Sequence, residues 1–368
     1  MRNPVRCFVT VLTLAAAAPL TAQISTTILS TNPGTYPMSV VMTPVTVPQK
    51  FALVSLWQSS EQVSVNVTNP ALPTLAAASI APHDQYCRAA FTSALGGRLV
   101  TAHRFGGIRL WDASWSILST NTPVPQLSYT PTNYSHEGLA AITTPVGNFV
   151  LYSEQHTSPM GSGGLMVYRV NPNSTLALVG QHLMLGCAGG ALAHSLTGQY
   201  VWQLGDQGNN PQNGVLRVYD TNGYANNPTL LSTIPVPLST TNTDRYLERN
   251  AKQTTLVATL GWDGIVCYDL TNPVSPTVGA TITIPNLLHV RGVTFIPNTN
   301  TAVLFGFVSV MNTTIDFVLF ADTLAPGSLT ILAWFNPGMQ VQDAKVSGTN
   351  LYCVGRDRAN SNSVLAIF

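Results

Sequence analysis

Five charged residues stand at spacings close to multiples of fifty. Arg88, Glu137, Glu248, Arg291 and Asp343 are separated by 49, 111, 43 and 52 residues. An arginine guanidinium grips a carboxylate or phosphate through two parallel hydrogen bonds, and a carboxylate held beside the ligand can act as general base. Brought together, the five would hold a small anionic ligand, with Glu137 or the adjacent His136 moving the proton. The same five would equally make a self-neutralising ring of ion pairs that keeps neighbouring repeats in register. One position earlier in the repeat stands a second set, Met38, Cys87, His136 and Cys187, spaced by 49, 49 and 51 residues. A thioether, two thiolates and an imidazole form a soft ligand set suited to copper or zinc. Packing in the core, with His136 hydrogen-bonded, is the plainer reading, and no cofactor is expected.

Weaker candidates surround these. His83, His103, His156 and His289 map to the same end of the repeat, and His156 lies two residues from Glu154. Trp57 and Trp262 could stack on a sugar or an aromatic ligand, or fill space between repeats. No P-loop, dinucleotide glycine fingerprint, H-E-x-x-H, EF-hand loop or G-x-S-x-G is present, so no complete catalytic signature supports an enzyme.

Composition narrows the partners. Charged residues make up 8% of the 368-residue chain and the formal net charge is +1. Neither nucleic acid nor an anionic membrane surface has an electrostatic footprint here. Arg2 and Arg6 precede an apolar run from Cys7 to Ala18, followed by Pro19-Leu20-Thr21-Ala22. That order reads as a secretory signal peptide over residues 1–22, with an apolar run too short to span a bilayer. Residues 23–368 are expected to be a single domain, monomeric, without a membrane span, and secreted, periplasmic or on the cell surface. Beyond the leader, Cys87, Cys187, Cys267 and Cys353 contain no C-x-x-C pair. They would suffice for two disulfides in an oxidising compartment but read more simply as small buried hydrophobes.

The elements that must position these residues are strands. Short apolar runs alternate with Gly, Pro, Asn, Ser and Thr clusters, and helix-period patterning is nearly absent. One segment recurs: a short apolar strand with an aromatic at its fourth position, often followed by Asp. It reads Ile108-Arg109-Leu110-Trp111-Asp112, Leu216-Arg217-Val218-Tyr219-Asp220 and Ile265-Val266-Cys267-Tyr268-Asp269, with weaker copies from Val63, Leu165, Phe317 and Val364. The copies begin 45 to 57 residues apart, the length of a four-stranded propeller blade. The last copy runs out of chain before its fourth strand, and Ser25–Thr31 is a strand-like piece with no blade of its own. The expected fold is therefore all-β, a seven-bladed β-propeller of four-stranded blades, with residues 23–34 supplying the outer strand of the last blade.

Two connections carry a family likeness. Val67-Thr68-Asn69-Pro70-Ala71-Leu72-Pro73 and Leu270-Thr271-Asn272-Pro273-Val274-Ser275-Pro276 resemble the turn of LVIVD-repeat propellers. Asn-Pro initiates such a turn, and the prolines stiffen the crossing to the outer strand. Asn171-Pro172 and Asn227-Pro228 match in part. The resemblance implies an exported or surface-associated propeller and no particular reaction. The overall plan is also similar to that of seven-bladed lactonase propellers, although none of their motifs is intact.

In such a fold the innermost strands begin on one face, the top, where the hairpins between second and third strands also emerge. More than half of the charged residues beyond the leader map there, among them Glu61, Arg104, Asp206, Asp263, Arg356 and Arg358, and loops on a rigid scaffold commonly carry function. Three functions follow, the third being a metal-dependent oxidase or electron carrier built on Met38, Cys87, His136 and Cys187. The first is recognition of an extracellular protein, a glycan or a small anionic ligand at the top face. The second is a lactonase- or isomerase-type reaction in which Arg88 and Arg291 hold an anion. A channel plugged by side chains favours the first, and a deep pocket with converging charges the second.

Overall fold

The computed structural model describes residues 23–32, 35–43, 50–57, 61–78, 87–92, 98–103, 107–111, 117–121, 138–154, 162–173, 175–185, 190–207, 210–237, 245–283, 288–310 and 313–368. Strand β1 (Ser25–Ser30) comes first. Blade 1 follows as β2 (Tyr36–Met42), β3 (Phe51–Trp57), β4 (Glu61–Asn66) and β5 (Thr74–Ala78). Blade 2 is β6 (Cys87–Thr92), β7 (Arg98–His103), β8 (Gly107–Trp111) and β9 (Ile117–Asn121). Blade 3 is β10 (Leu139–Thr144), β11 (Gly147–Glu154), β12 (Ser162–Val170) and β13 (Leu176–Leu185). Blade 4 is β14 (Leu192–His194), β15 (Tyr200–Gln207), β16 (Asn210–Asp220) and β17 (Thr229–Pro235). Blade 5 is β18 (Arg245–Arg249), β19 (Thr255–Leu260), β20 (Ile265–Asp269) and β21 (Thr277–Ile282). Blade 6 is β22 (Leu288–Phe295), β23 (Thr301–Val310), β24 (Thr313–Asp322) and β25 (Thr330–Phe335). The chain ends in β26 (Met339–Ser347), β27 (Asn350–Asp357) and β28 (Ser363–Ile367).

The expectation of seven blades is corrected in this respect: six blades each form from one run of four consecutive strands, and the remaining four-stranded sheet is composite. Its order is β1-β28-β27-β26, with Thr26 opposite Ala366 and Ile28 opposite Val364. The innermost strands β2, β6, β10, β14, β18, β22 and β26 neighbour one another in that order, and β26 returns to β2. The ring is closed through this composite sheet.

Its core is distributed. Both faces of a blade are apolar, so the hydrophobic clusters lie between blades. One joins blade 4 to blade 5 through Trp202, Leu204, Leu256 and Tyr268. Another joins the composite sheet to blade 1 through Leu29, Val354, Leu365, Val40 and Val54. Turns stitch the lower rim. The Asp or Asn ending the third strand accepts the amide two residues on: Asp269 from Thr271 at 2.7 Å, Asp220 from Asn222 at 2.7 Å and Asn66 from Thr68 at 3.0 Å. This is the Asx-turn chemistry behind the recurring Asp. These turns then present carbonyls to the preceding blade. Pro70 O accepts from Ser25 Oγ at 2.6 Å, and Pro273 O from Trp202 Nε1 at 3.1 Å.

The outermost strands β1, β5, β9, β13, β17, β21 and β25 contain no Asp, Glu, Lys or Arg. Charge is a common way to keep an open sheet edge from pairing with another chain. Here each outermost strand instead carries a register shift against its neighbour, and such bulges twist an edge away from a flat partner. Deleting residues 23–30 should open the β28 edge and uncover the wedge between the composite sheet and blade 1. A loss of about 4 kcal/mol or more is expected, read as a fall in the urea midpoint, with partial recovery when a peptide of that sequence is added.

Candidate functional site

Of the five charged residues first singled out, Arg88, Glu248, Arg291 and Asp343 lie along innermost strands, and their levels follow from strand register. In β26–β27 the hairpin begins at Ser347↔Asn350, and Lys345↔Tyr352 is the third pair above it. In β22–β23, with Ile296 bonded to Thr301 as the first pair, the third is Thr294↔Val303. In β18–β19, with Asn250 bonded to Thr255 as the first, it is Glu248↔Val257. Glu248, Thr294 and Lys345 therefore share one level, and Asp343 lies two pairs higher. Placing Glu248 with Asp343 was an error of register: β18 starts at Arg245, so Glu248 sits near its lower end.

A second correction concerns Arg291. Strands β2, β22 and β26 each carry a bulge, at Met38, Arg291 and Gln342, which leaves Ser39, Gly292 and Asp343 as the equivalent residues below it. Arg291 thus stands one position above Ser39 and Asp343, and it matches Met38 and Gln342. A bulge adds one residue and re-aims those beside it, which sequence spacing alone does not disclose. The Arg291 guanidinium donates to Gln342 Oε1 and lies 5.5 Å above the Phe307 ring. Phe307 stacks on His289 at 4.8 Å, and Trp262, from the top hairpin of blade 5, meets both edge-on at 4.7 and 5.1 Å. Trp262 and Phe307 are half-buried, so this aromatic group packs blade 5 against blade 6 and keeps a face at the top surface.

Asp343 is buried. Its Oδ2 accepts the Val40 amide of blade 1 at 2.9 Å, and its Oδ1 accepts the Ala344 amide at 2.9 Å. Close by, the Tyr246 hydroxyl of blade 5 reaches past blade 6 and donates to the Gln342 carbonyl at 3.3 Å. Gly292 makes the passage possible: a Cβ there would lie 2.4 Å from the Phe305 ring and 3.2 Å from that of Tyr246.

Lower down, Lys345 Nζ lies 4.0 Å from Glu248 Oε2, again spanning blade 6. Burial raises the Glu248 pKa above its ordinary 4.5, and the Asp343 charge adds to the rise. Lys345, Arg249 and the Thr294 hydroxyl oppose it. Glu248 is surrounded by strands yet keeps 36% of its side-chain surface accessible, as a group lining an axial channel does. Beside it, Arg249 donates to the His194 and Asn250 carbonyls, and burial lowers the His194 pKa. On the top face Arg358 clamps the buried Asp316 of blade 6 with two bonds of 2.7 and 2.8 Å.

Three comparisons with known proteins bear on this geometry. Sqt1 of Saccharomyces cerevisiae is 14% identical, with a TM-score of 0.54 over 94% of this chain and 98% of that one. The Dos1 propeller is 13% identical, with a TM-score of 0.55 over 86% of this chain and 75% of that one. The β-propeller domain of Myceliophteria thermophila Cps50 (Swd1) is 9% identical, with a TM-score of 0.57 over 86% and 93%. This chain folds as a β-propeller. No protein-family model matches it, and no curated protein does. At these identities the likeness fixes the fold alone.

Of the residues expected at the propeller's mouth, His136, Glu137 and Cys187 lie outside the described residues. Arg88 and Cys87 are in β6, opposite Ala102 and His103. Met38 is half-buried, and no cluster able to hold a metal ion occurs among the described residues. Cys267 and Cys353 are buried free thiols. Burial pushes Cys267 up to about 12 and raises Cys353, with the Asp343 charge adding to the effect. Both stay protonated and pack as small apolar groups. Sequence reasoning missed Tyr246, Gln342, Lys345 and Asp316. Lys345 was within reach, since it shares the face of Asp343 two residues along one strand.

Replacing Asp343 with Ala strands two buried amides and should cost on the order of 1–3 kcal/mol in equilibrium unfolding. Glu248 holds its proton more tightly folded than unfolded, so its contribution to stability falls as pH rises above about 4.5. Glu248→Gln should melt like wild type near that pH and at a progressively higher relative midpoint as the pH rises; a relative midpoint that falls instead would contradict the assignment.

Proposed function

We propose that this propeller is a non-catalytic recognition module that binds a protein partner through its top face, around Trp262, Phe307 and Arg291. The observation that carries this reading is the half-buried aromatic and arginine group at the top, where Arg291 lies over Phe307 and Trp262 meets that ring edge-on. Below it the Tyr246 hydroxyl spans blade 6 to the Gln342 carbonyl, which ties blade 5 to the composite sheet beneath that surface. The half-exposed aromatic and arginine side chains left at the top are the types that dominate protein interfaces. Nothing among the described residues favours the lactonase-type alternative. The leader, the Asn-Pro turns and the low charge support a secreted, periplasmic or cell-surface location as part of the same proposal.

The test is capture of partners from the native extracellular or envelope fraction on immobilised protein. Trp262→Ala and Arg291→Ala should each weaken recovery of a specific partner at least about tenfold, while Leu332→Ser on the outer rim leaves it unchanged. Equal loss with the rim variant, or none with the top variants, would contradict a top-face interface.

A further inference from the structure

At the lower end of the channel the polar groups form a different kind of site. Glu248, Thr294 and Lys345 share a level, with Arg249 one residue below Glu248 on the same strand. Above them Asp343 is held by two amides, and the Tyr246 hydroxyl reaches the Gln342 carbonyl. Yet Glu248 and Lys345 each keep 36% of their side-chain surface accessible, which leaves the lower opening as their route to solvent. Among the described side chains, β10 contributes Ile142 to this level, the third pair above Thr144↔Gly147. Strand β2 contributes Val41 and β14 contributes Ala193, while His194, below them, bonds the Ser195 carbonyl at 2.8 Å.

We propose that this lower vestibule binds a small oxyanion, such as a carboxylate or a phosphate, between Lys345 and Glu248, taking up one proton with it. The charge balance supplies the reason. With Glu248 ionised, Glu248 and Asp343 offset Lys345 and Arg249, and an incoming anion meets no net attraction. When Glu248 takes up a proton from the buffered solvent, its hydroxyl donates to the ligand oxygen and Lys345 neutralises the ligand charge. The 4.0 Å separation of Lys345 Nζ from Glu248 Oε2 is longer than a charge-assisted hydrogen bond of about 2.7–2.9 Å, so the pair yields to a ligand that bonds both. Burial favours the protonated carboxyl already, which lowers the cost of the uptake.

This inference does not rest on the top-face reading, and its test is separate. Binding of acetate and of inorganic phosphate is measured by thermal shift and calorimetry at constant ionic strength, from about pH 5 to about pH 9. Where free Glu248 is ionised, affinity should fall about tenfold per pH unit as pH rises. Glu248→Gln mimics the protonated acid and should bind with no such slope, whereas Lys345→Met should lose at least about tenfold. A slope shared by acetate and phosphate identifies the general oxyanion, and one confined to either identifies that source. No saturable binding at low pH, an unchanged slope in Glu248→Gln, or full affinity in Lys345→Met would each overturn the proposal. Thr294→Val, which removes a hydroxyl that favours the ionised Glu248, should move the onset of the pH slope to higher pH, a readout that stands even if Lys345→Met fails to fold, and an unmoved onset would overturn the proposal.

Discussion

A four-stranded sheet with two apolar faces is stable only if both are covered, and everything else in this chain follows from that constraint. Each blade lends its faces to two neighbours, so no blade has a core of its own and the ring has to close. Closure is achieved by β1, which joins the beginning of the folded chain to its end beside β28. The wedge between the composite sheet and blade 1 then fills with Leu29, Val354, Leu365 and Val40, all buried. Burying such side chains is worth roughly 1.5–3 kcal/mol each, and an open ring would forfeit several at once.

The polar groups are spent in the same cause. Asp343 ties the composite sheet to blade 1, Arg358 ties it to blade 6, and the turns at Pro70, Pro228 and Pro273 tie their lower rims to the sheet before them. Side chains placed near an axis shared by all blades are well positioned for chemistry, but among the described residues Asp343, Tyr246 and Gln342 bond within the ring. Among the described residues, accessible surface includes an aromatic and arginine group at the top, Glu248 and Lys345 lower down and an uncharged rim. The rim avoids edge pairing through bulges, which suits a chain with so few charges to spend.

Much of the fold was legible in the sequence because period and turn chemistry are local. The recurring aromatic strand, the terminal Asp and the Asn-Pro turns each appear where the pattern put them, and the orphan N-terminal strand pairs with β28. The site was less legible because side-chain level depends on register. One bulge moved Arg291 away from Asp343, and a strand beginning two residues early moved Glu248 to a different level. Neither leaves a mark on spacing. Tyr246 was hidden for a related reason: its reach depends on Gly292 leaving room in the neighbouring blade.

The most direct test of the claim that the axis is the structural keystone is native-state hydrogen exchange across the innermost strands. The account predicts that the amides of Val40, Ala344 and their neighbours in β2, β22 and β26 exchange only through global unfolding, more slowly than the outer strands. If those innermost strands instead open locally before the blades around them, the axial contacts do not hold the ring and the account is wrong.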